Sequence, residues 1–187
     1  DGITPSEVDS VILMLRNISG TIYEANKAVF KLLCDGFILN REDRTQKDLY
    51  IELIDFDTPE NNIFKVVNQF EIEGVNNQLR IPDGIVFVNG IPVVVIELKN
   101  ATNEEVDIVD GFNQLQTYKR DIPSLFYYNA FMITSDGINA KVGTITSDLD
   151  RFMFWRTIDG EKESGLSFPQ LQVMLYGMMN KKRFLDI

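Results

Sequence analysis

Three charged residues, Asp83, Glu97 and Lys99, interrupt an otherwise apolar stretch of the chain. Glu97 and Lys99 flank a single leucine directly after the apolar run 91–96. Burying a carboxylate or an ammonium group beside such a run is costly unless the charge is paired or binds a metal ion. This cost makes the segment 81–99 the first candidate for a site that performs chemistry.

The segment has the form of a β-hairpin, and the register of that hairpin decides whether its charges meet. Asn89-Gly90 between two runs of β-forming residues is the strongest short-range signal for a hairpin turn. Side chains alternate between the two faces of a strand. A strict two-residue turn without a bulge would therefore set Asp83 opposite Ile96, on the face away from Glu97, and would count against a shared site.

One extra residue in the loop or in a bulge would bring Asp83 to the same face as Glu97. A three-residue loop with a glycine bulge would set Asp83 opposite Val95, diagonal to Glu97 and on the same face. We therefore predict an odd loop or a bulge, at Gly84 or at Gly90.

The apolar periodicity of the rest of the chain predicts helices on both sides of a sheet. Thr4-Pro5-Ser6-Glu7 has the pattern of a capping box, with proline at the first helical position, so a helix is expected to follow Thr4. The outcome is an α/β fold in one domain, residues 1–187, with a mixed central sheet flanked by helices. Beyond the hairpin and the first helix, the predicted helices are 22–34, 104–120, 168–179 and 182–187, and the predicted strands are 50–56, 62–73, 129–134, 140–146 and 151–156.

Composition excludes several classes of function. The 187 residues include no histidine, which removes Ser-His-Asp and Cys-His catalysis and imidazole-based zinc sites. A single cysteine, Cys34, cannot form an internal disulfide, which is typical of a cytoplasmic protein. The longest apolar run, 91–96, is too short to cross a membrane. A net charge of -10 argues against broad non-specific nucleic-acid binding by this region alone.

The pattern Pro82-Asp83 … Glu97-Leu98-Lys99 matches the PD-(D/E)xK nuclease superfamily. The wider sequence resembles one family within it, the amino-terminal nuclease domain of the R (restriction) subunit of type I restriction-modification enzymes. The segments that carry this resemblance are 53–56, 61–62, 66–70, 82–92, 95–100, 114–118, 135–137, 143–144 and 154–155.

The resemblance implies a restriction-endonuclease-like fold and a Mg²⁺-dependent endonuclease that hydrolyses phosphodiester bonds of double-stranded DNA. Asp83 and Glu97 offer hard oxygen ligands of the kind Mg²⁺ prefers, and the backbone carbonyl of Leu98 is a further candidate ligand. Lys99 is expected to orient the attacking hydroxide and to stabilise charge in the transition state.

Gln114 and Tyr118 lie one helical turn apart in a predicted helix and face the same way. Spacing alone favours a helix surface whose tyrosine packs on the sheet. The segment also matches the Gln-x-x-x-Tyr motif of the resembling family, which implies that the pair supports nuclease activity without binding the metal. The two side chains are then expected to hold a DNA phosphate or to brace the catalytic residues.

The resemblance further implies a much larger assembly. The family has ATP-driven motor domains that translocate DNA, together with methyltransferase and specificity subunits as partners. The chain does not start with methionine, and we expect it to be a fragment of such a subunit. Two alternatives stay open from the residues, a catalytically silent docking or regulatory module of the same fold and a stand-alone DNA repair nuclease.

Overall fold

The computed structural model of the chain describes residues 2–99, 108–165 and 168–187, apart from the side chain of Asn76. The helices in these ranges are α1 (Pro5–Arg16), α2 (Ile22–Asp35), α3 (Ile108–Asp121), α4 (Pro123–Phe126), α5 (Gln170–Gly177) and α6 (Lys181–Asp186). The strands are β1 (Phe37–Leu39), β2 (Leu49–Ile51), β3 (Phe64–Asn68), β4 (Ile72–Glu73), β5 (Leu79–Arg80), β6 (Gly84–Val88), β7 (Ile91–Leu98), β8 (Phe131–Ser135) and β9 (Ala140–Gly143).

A five-stranded mixed sheet forms the centre of the fold, with strand order β3-β6-β7-β8-β9. The strands β3, β6 and β7 are antiparallel neighbours, β7 and β8 are parallel, and β8 and β9 are antiparallel. Helix α3 packs on β7 and β8. The predicted α/β architecture, a mixed sheet flanked by helices, is confirmed and is consistent with a restriction-endonuclease-like fold.

The sheet separates two hydrophobic cores, because successive residues of its strands enter different clusters. Ile85 and Val95 face helix α3, whereas their neighbours Val86 and Val94 face the other side. The α3-side core consists of Ile85, Val95, Leu115, Tyr118, Ile122, Leu125, Phe126, Met132, Ile145 and Phe152. The opposite core consists of Val29, Leu33, Ile54, Val86, Val88, Ile91, Val93, Val94, Ile133, Ala140, Met174, Met178 and Phe184.

The first helix begins as its sequence predicts. The Glu7 backbone N–H donates to the Thr4 hydroxyl at 3.2 Å, and the Thr4 backbone N–H donates to the Glu7 carboxylate at 2.9 Å. Thr21 and Glu24 form a second capping box at the start of α2. The prediction of a helix over 22–34 is confirmed to within one residue.

Several predicted strands are shorter in the structure; the predicted strand 140–146, for example, ends at Gly143 as β9. The predicted strand 62–73 is divided into β3 and β4, because Gln69 adopts a positive φ of 49° and breaks the extended backbone. Its backbone N–H donates to the carbonyl of Asp83 at 3.2 Å. Within 50–56, only the residues up to Ile51 pair, as part of β2.

The predicted strand 151–156 is wrong. Met153 forms one isolated bridge with Val142, and a short 3₁₀ helix precedes it at Leu149–Arg151. Of the predicted helix 104–120, the first four residues lie outside the described residues, and the remainder belongs to α3. Among the described helices, none is long and apolar enough to span a membrane.

Candidate active site

The hairpin of β6 and β7 has a two-residue turn and a bulge. Asn89 and Gly90 both have positive φ, 51° and 85°, which is the type I′ geometry that Asn-Gly favours. Next to the turn, Val88 pairs with Ile91 and Phe87 with Pro92, but Val86 then pairs with Val94. Val93 is therefore the extra residue, and the bulge lies on β7.

The prediction of a bulge is confirmed, and its predicted location at Gly84 or Gly90 is wrong. Apolar packing gives the reason for the observed location, since the bulge lets both Val93 and Val94 enter the opposite core. Beyond the bulge, Gly84 pairs with Ile96. Continuing that register by one residue sets Asp83 opposite Glu97, not opposite Val95, and the two carboxylates share the face that α3 covers.

Asp83 is held against the end of β7 by a hydrogen bond. The Leu98 backbone N–H donates to the Asp83 carboxylate at 2.7 Å. Proline at position 82 fixes the chain just before Asp83, and the Asp83 carbonyl accepts the hydrogen bond from Gln69. Asp83 thus links β6, β7 and the end of β3 at one edge of the sheet.

Glu97 and Lys99 form an ion pair at the same edge. The Lys99 ammonium lies 2.7 Å from one Glu97 carboxylate oxygen, and the two side chains are 22% and 6% exposed, respectively. Burial raises the pKa of the Glu97 carboxyl above its usual value, the hydrogen bond from Lys99 opposes this, and the charge of Asp83 raises it further. Glu97 is therefore a desolvated carboxylate between one cation and one like charge.

The second oxygen of Glu97 is buried and accepts no hydrogen bond from the described residues. A buried carboxylate oxygen without a donor is costly, and a cation would satisfy it. The described residues include no cluster of three or more His, Cys, Asp or Glu side chains. Mg²⁺ needs no such cluster, because it binds through one or two carboxylates and takes its other ligands from water and phosphate. The pair Asp83 and Glu97 therefore fits Mg²⁺ better than it fits a metal that needs a full protein cage.

Helix α3 brings Tyr118 and Gln114 to the same place. Tyr118 is buried, and its phenol donates to the carbonyl of Ile81 at 3.1 Å, two residues before Asp83. Burial raises the pKa of Tyr118 to about 12, the charge of Glu97 adds to this rise, and the Gln114 side chain opposes it. The groups that shift the pKa of Tyr118 are thus Glu97, Gln114 and Asp83, which places Tyr118 beside the carboxylates of the candidate site.

Tyr118 therefore braces the segment between β5 and β6 that contains Asp83. This hydrogen bond is of the kind that the bracing alternative predicts, and the phosphate-holding alternative stays a prediction as well. Gln114 is half-buried on the same side of α3.

A second contact between α3 and the approach to Asp83 has no signal in the sequence. Arg80 donates twice to one oxygen of the Asp121 carboxylate, at 2.8 and 2.6 Å. Arg120 binds the other oxygen at 2.8 Å, and the Arg120 and Arg80 hydrogen bonds hold the pKa of Asp121 below its usual range. Arg80 and Asp121 are 41 residues apart, so their types and local spacing could not reveal the pair.

Comparison with known proteins finds one family model and several similar proteins of the same kind. Residues 6–151 match the family described as type I restriction enzyme R protein N terminus. Over 185 residues the chain is 40% identical to the type I restriction enzyme HindI endonuclease subunit of Haemophilus influenzae, covering 97% of this chain and 18% of that protein. It is 32% identical over 179 residues to the putative type I restriction enzyme MjaIXP endonuclease subunit of Methanocaldococcus jannaschii, covering 86% of this chain and 17% of that protein. The chain thus spans less than a fifth of the length of either relative.

Proposed function

The chain belongs to the family of type I restriction enzyme R protein N-terminal regions, and from that premise we propose that it is the DNA-cleaving domain of such a subunit. Its reaction is the Mg²⁺-dependent hydrolysis of phosphodiester bonds in double-stranded DNA. The observation that carries this proposal is the meeting of Asp83, Glu97 and Lys99 at one sheet edge, with one buried Glu97 oxygen that accepts no hydrogen bond from the described part of the chain.

Asp83, Glu97 and the backbone carbonyl of Leu98 would hold the metal ion. When bound, Mg²⁺ lowers the pKa of a coordinated water and polarises the phosphoryl group. Lys99 stands beside Glu97 and would place a positive charge where the phosphate gains negative charge in the transition state. Gln114 and Tyr118 would support this arrangement from α3.

The rest of the proposed subunit would deliver the DNA. The two relatives are more than five times longer than this chain, which leaves room for ATP-driven translocation outside it. The net charge of -10 fits a domain that relies on other parts of an assembly to grip DNA. We extend the proposal to methyltransferase and specificity subunits as partners and to the cytoplasm as the location, where the cellular DNA of a bacterium or archaeon lies.

The proposal is tested in the full-length subunit assembled with its methyltransferase complex. Asp83→Asn, Glu97→Gln and Lys99→Ala should each lower the rate of DNA cleavage on the order of 10²-fold or more, because each removes one electrostatic element of the site. ATP hydrolysis should stay close to wild type. Glu161→Gln and Lys162→Ala, at exposed positions outside the site, are the matched controls.

Mg²⁺ binding separates this proposal from a silent docking module. Calorimetric titration should show that the wild type binds Mg²⁺ and that Glu97→Gln binds it more weakly. Normal cleavage by the three site variants would refute the proposal. A wild-type assembly that hydrolyses ATP but neither binds Mg²⁺ at this site nor cuts DNA would support the docking module.

A further inference from the structure

Helix α3 lies directly against the sheet at Gly111, which is buried. A Cβ atom placed on Gly111 would overlap the Thr134 hydroxyl oxygen and would lie 3.2 Å from the Thr134 Cβ. The same atom would lie 3.6 Å from Cγ of Lys99. A side chain at position 111 would therefore require Thr134 or α3 itself to move at this point.

Thr134 forms the sheet side of this contact. It is fully buried and pairs with Glu97 across the parallel β7 and β8 strands. Residues paired in register point to the same face, so Thr134 and Glu97 both lie under α3. The Thr134 hydroxyl donates to the Ile108 carbonyl at 3.3 Å. Thr134 thus limits how closely α3 can approach Glu97 and also holds the helix there.

The same side of α3 carries Gln114 and Tyr118. Residues three, four and seven positions apart lie along one side of a helix, so these two side chains and Gly111 face the sheet together. A displacement of the helix at Gly111 would therefore move both side chains relative to Glu97.

We propose that Gly111 and Thr134 are positioning residues, whose close contact sets the distance between α3 and the Glu97 to Lys99 segment. This inference rests on the proposed nuclease function and adds to it two residues that touch no substrate. A side chain at position 111 would remove no charged group of the site and would change only the distance between α3 and the sheet that carries those groups.

The test is a double-mutant cycle in the full-length subunit assembled with its methyltransferase complex. Gly111→Ala should lower the rate of DNA cleavage by about 10²-fold, the order expected when a catalytic group is displaced by about 1 Å. DNA affinity and ATP hydrolysis should stay close to wild type. Adding Thr134→Ala removes the hydroxyl that the new methyl group meets, so the double variant should cleave faster than Gly111→Ala alone.

Asn113→Ala is the matched control, because Asn113 is exposed on the same helix and should tolerate alanine. Alanine also has the higher helix propensity, so weaker helix formation cannot explain a loss in Gly111→Ala. Wild-type cleavage by Gly111→Ala, or a double variant no faster than Gly111→Ala, would overturn the inference. If the wild-type assembly itself does not cleave DNA with Mg²⁺, the proposed function fails instead.

A second pair of variants answers the same question if Gly111→Ala does not fold. Thr134→Ser keeps the hydroxyl that binds the Ile108 carbonyl, whereas Thr134→Val keeps the size and removes the hydroxyl. Cleavage by Thr134→Ser should stay near wild type, and cleavage by Thr134→Val should fall several-fold with DNA affinity unchanged. Equal cleavage by both variants would contradict the positioning role.

Discussion

The bulge in β7 predicts that one valine can be deleted from the hairpin without moving the candidate site. Val93, Val94 and Val95 are consecutive, so removing any one of them gives the same protein. The shortened strand would pair residue for residue with β6 from the turn onward. Glu97 would keep its place opposite Asp83, and the alternation of faces would be preserved.

The cost of this deletion can be estimated from the packing. Val93 is 4% exposed in the opposite core, and burial of a valine side chain is worth about 1.5–3 kcal/mol. The deletion should therefore lower the free energy of unfolding by about that amount. Val93→Ala loses most of the same side chain and keeps the bulged backbone, which makes it the matched control. Both variants should unfold at similar urea concentrations.

The functional assay is DNA cleavage by the assembled full-length subunit. The valine deletion and Val93→Ala should both cleave DNA at rates close to wild type. Deleting Val86 from β6 is the opposite case, because β6 has no spare residue and the deletion would force Asp83 out of its register. Loss of cleavage in a folded valine-deletion variant, with normal cleavage by Val93→Ala, would refute the reasoning that Val93 is a spare residue.

Three further substitutions test other contacts. The backbone N–H of Thr4 holds the pKa of the Glu7 carboxyl below its usual value of 4.5, so this carboxylate stabilises the fold above that pH and the contribution is lost as the pH falls. The melting temperature of wild type should exceed that of Glu7→Gln at about pH 6, and the difference should shrink toward about pH 3; a constant difference would contradict this. Leu115→Ala, at a fully buried position of α3, should cost about 2–5 kcal/mol of unfolding free energy in urea, and a cost near zero would count against the core described above. Asn89→Gly keeps the positive φ but loses three side-chain hydrogen bonds, one accepted from the Ile63 N–H and two donated to the Leu53 carbonyl and the Asn62 side chain. Each lost bond should cost about 0.5–1.5 kcal/mol of unfolding free energy, and unchanged stability would show that the turn conformation alone matters.

Features that depend on neighbouring residues were predictable from the sequence. The capping box joins Thr4 to Glu7, and the turn needs only Asn89 and Gly90, so their residue types are sufficient signals. The predicted strand 62–73 is a case in which the local residue pattern was not sufficient. Its alternating pattern continues through Gln69, but the break there accompanies a hydrogen bond to the distant Asp83 carbonyl.

The location of the bulge depended on information that the sequence does not contain. Three consecutive valines do not reveal which of them is the extra residue, and packing in the opposite core decides the question. Segment 151–156 is a similar case, since its β-forming residues have only Val142 as a bridge partner among the described residues.

The sequence predicted which residues group at the candidate site, but it did not predict the packing contacts that hold this group in place. Asp83, Glu97 and Lys99 follow a spacing that indicates their chemistry, and the structure brings them together. Gly111 and Thr134 come from different elements and have common residue types, so only the packed structure reveals that they touch.

The sheet lies between the two cores, and this separation affects which substitutions the domain can accept during evolution. Val29, Met174 and Phe184 pack in the opposite core, so a change there reaches the site indirectly, through the sheet or through the contact between α2 and α4. A change in the α3-side core moves the helix that braces Asp83 directly. Substitutions on the face covered by α2, α5 and α6 should therefore be accepted most easily. Stabilising substitutions there should raise the melting temperature with little effect on the candidate site.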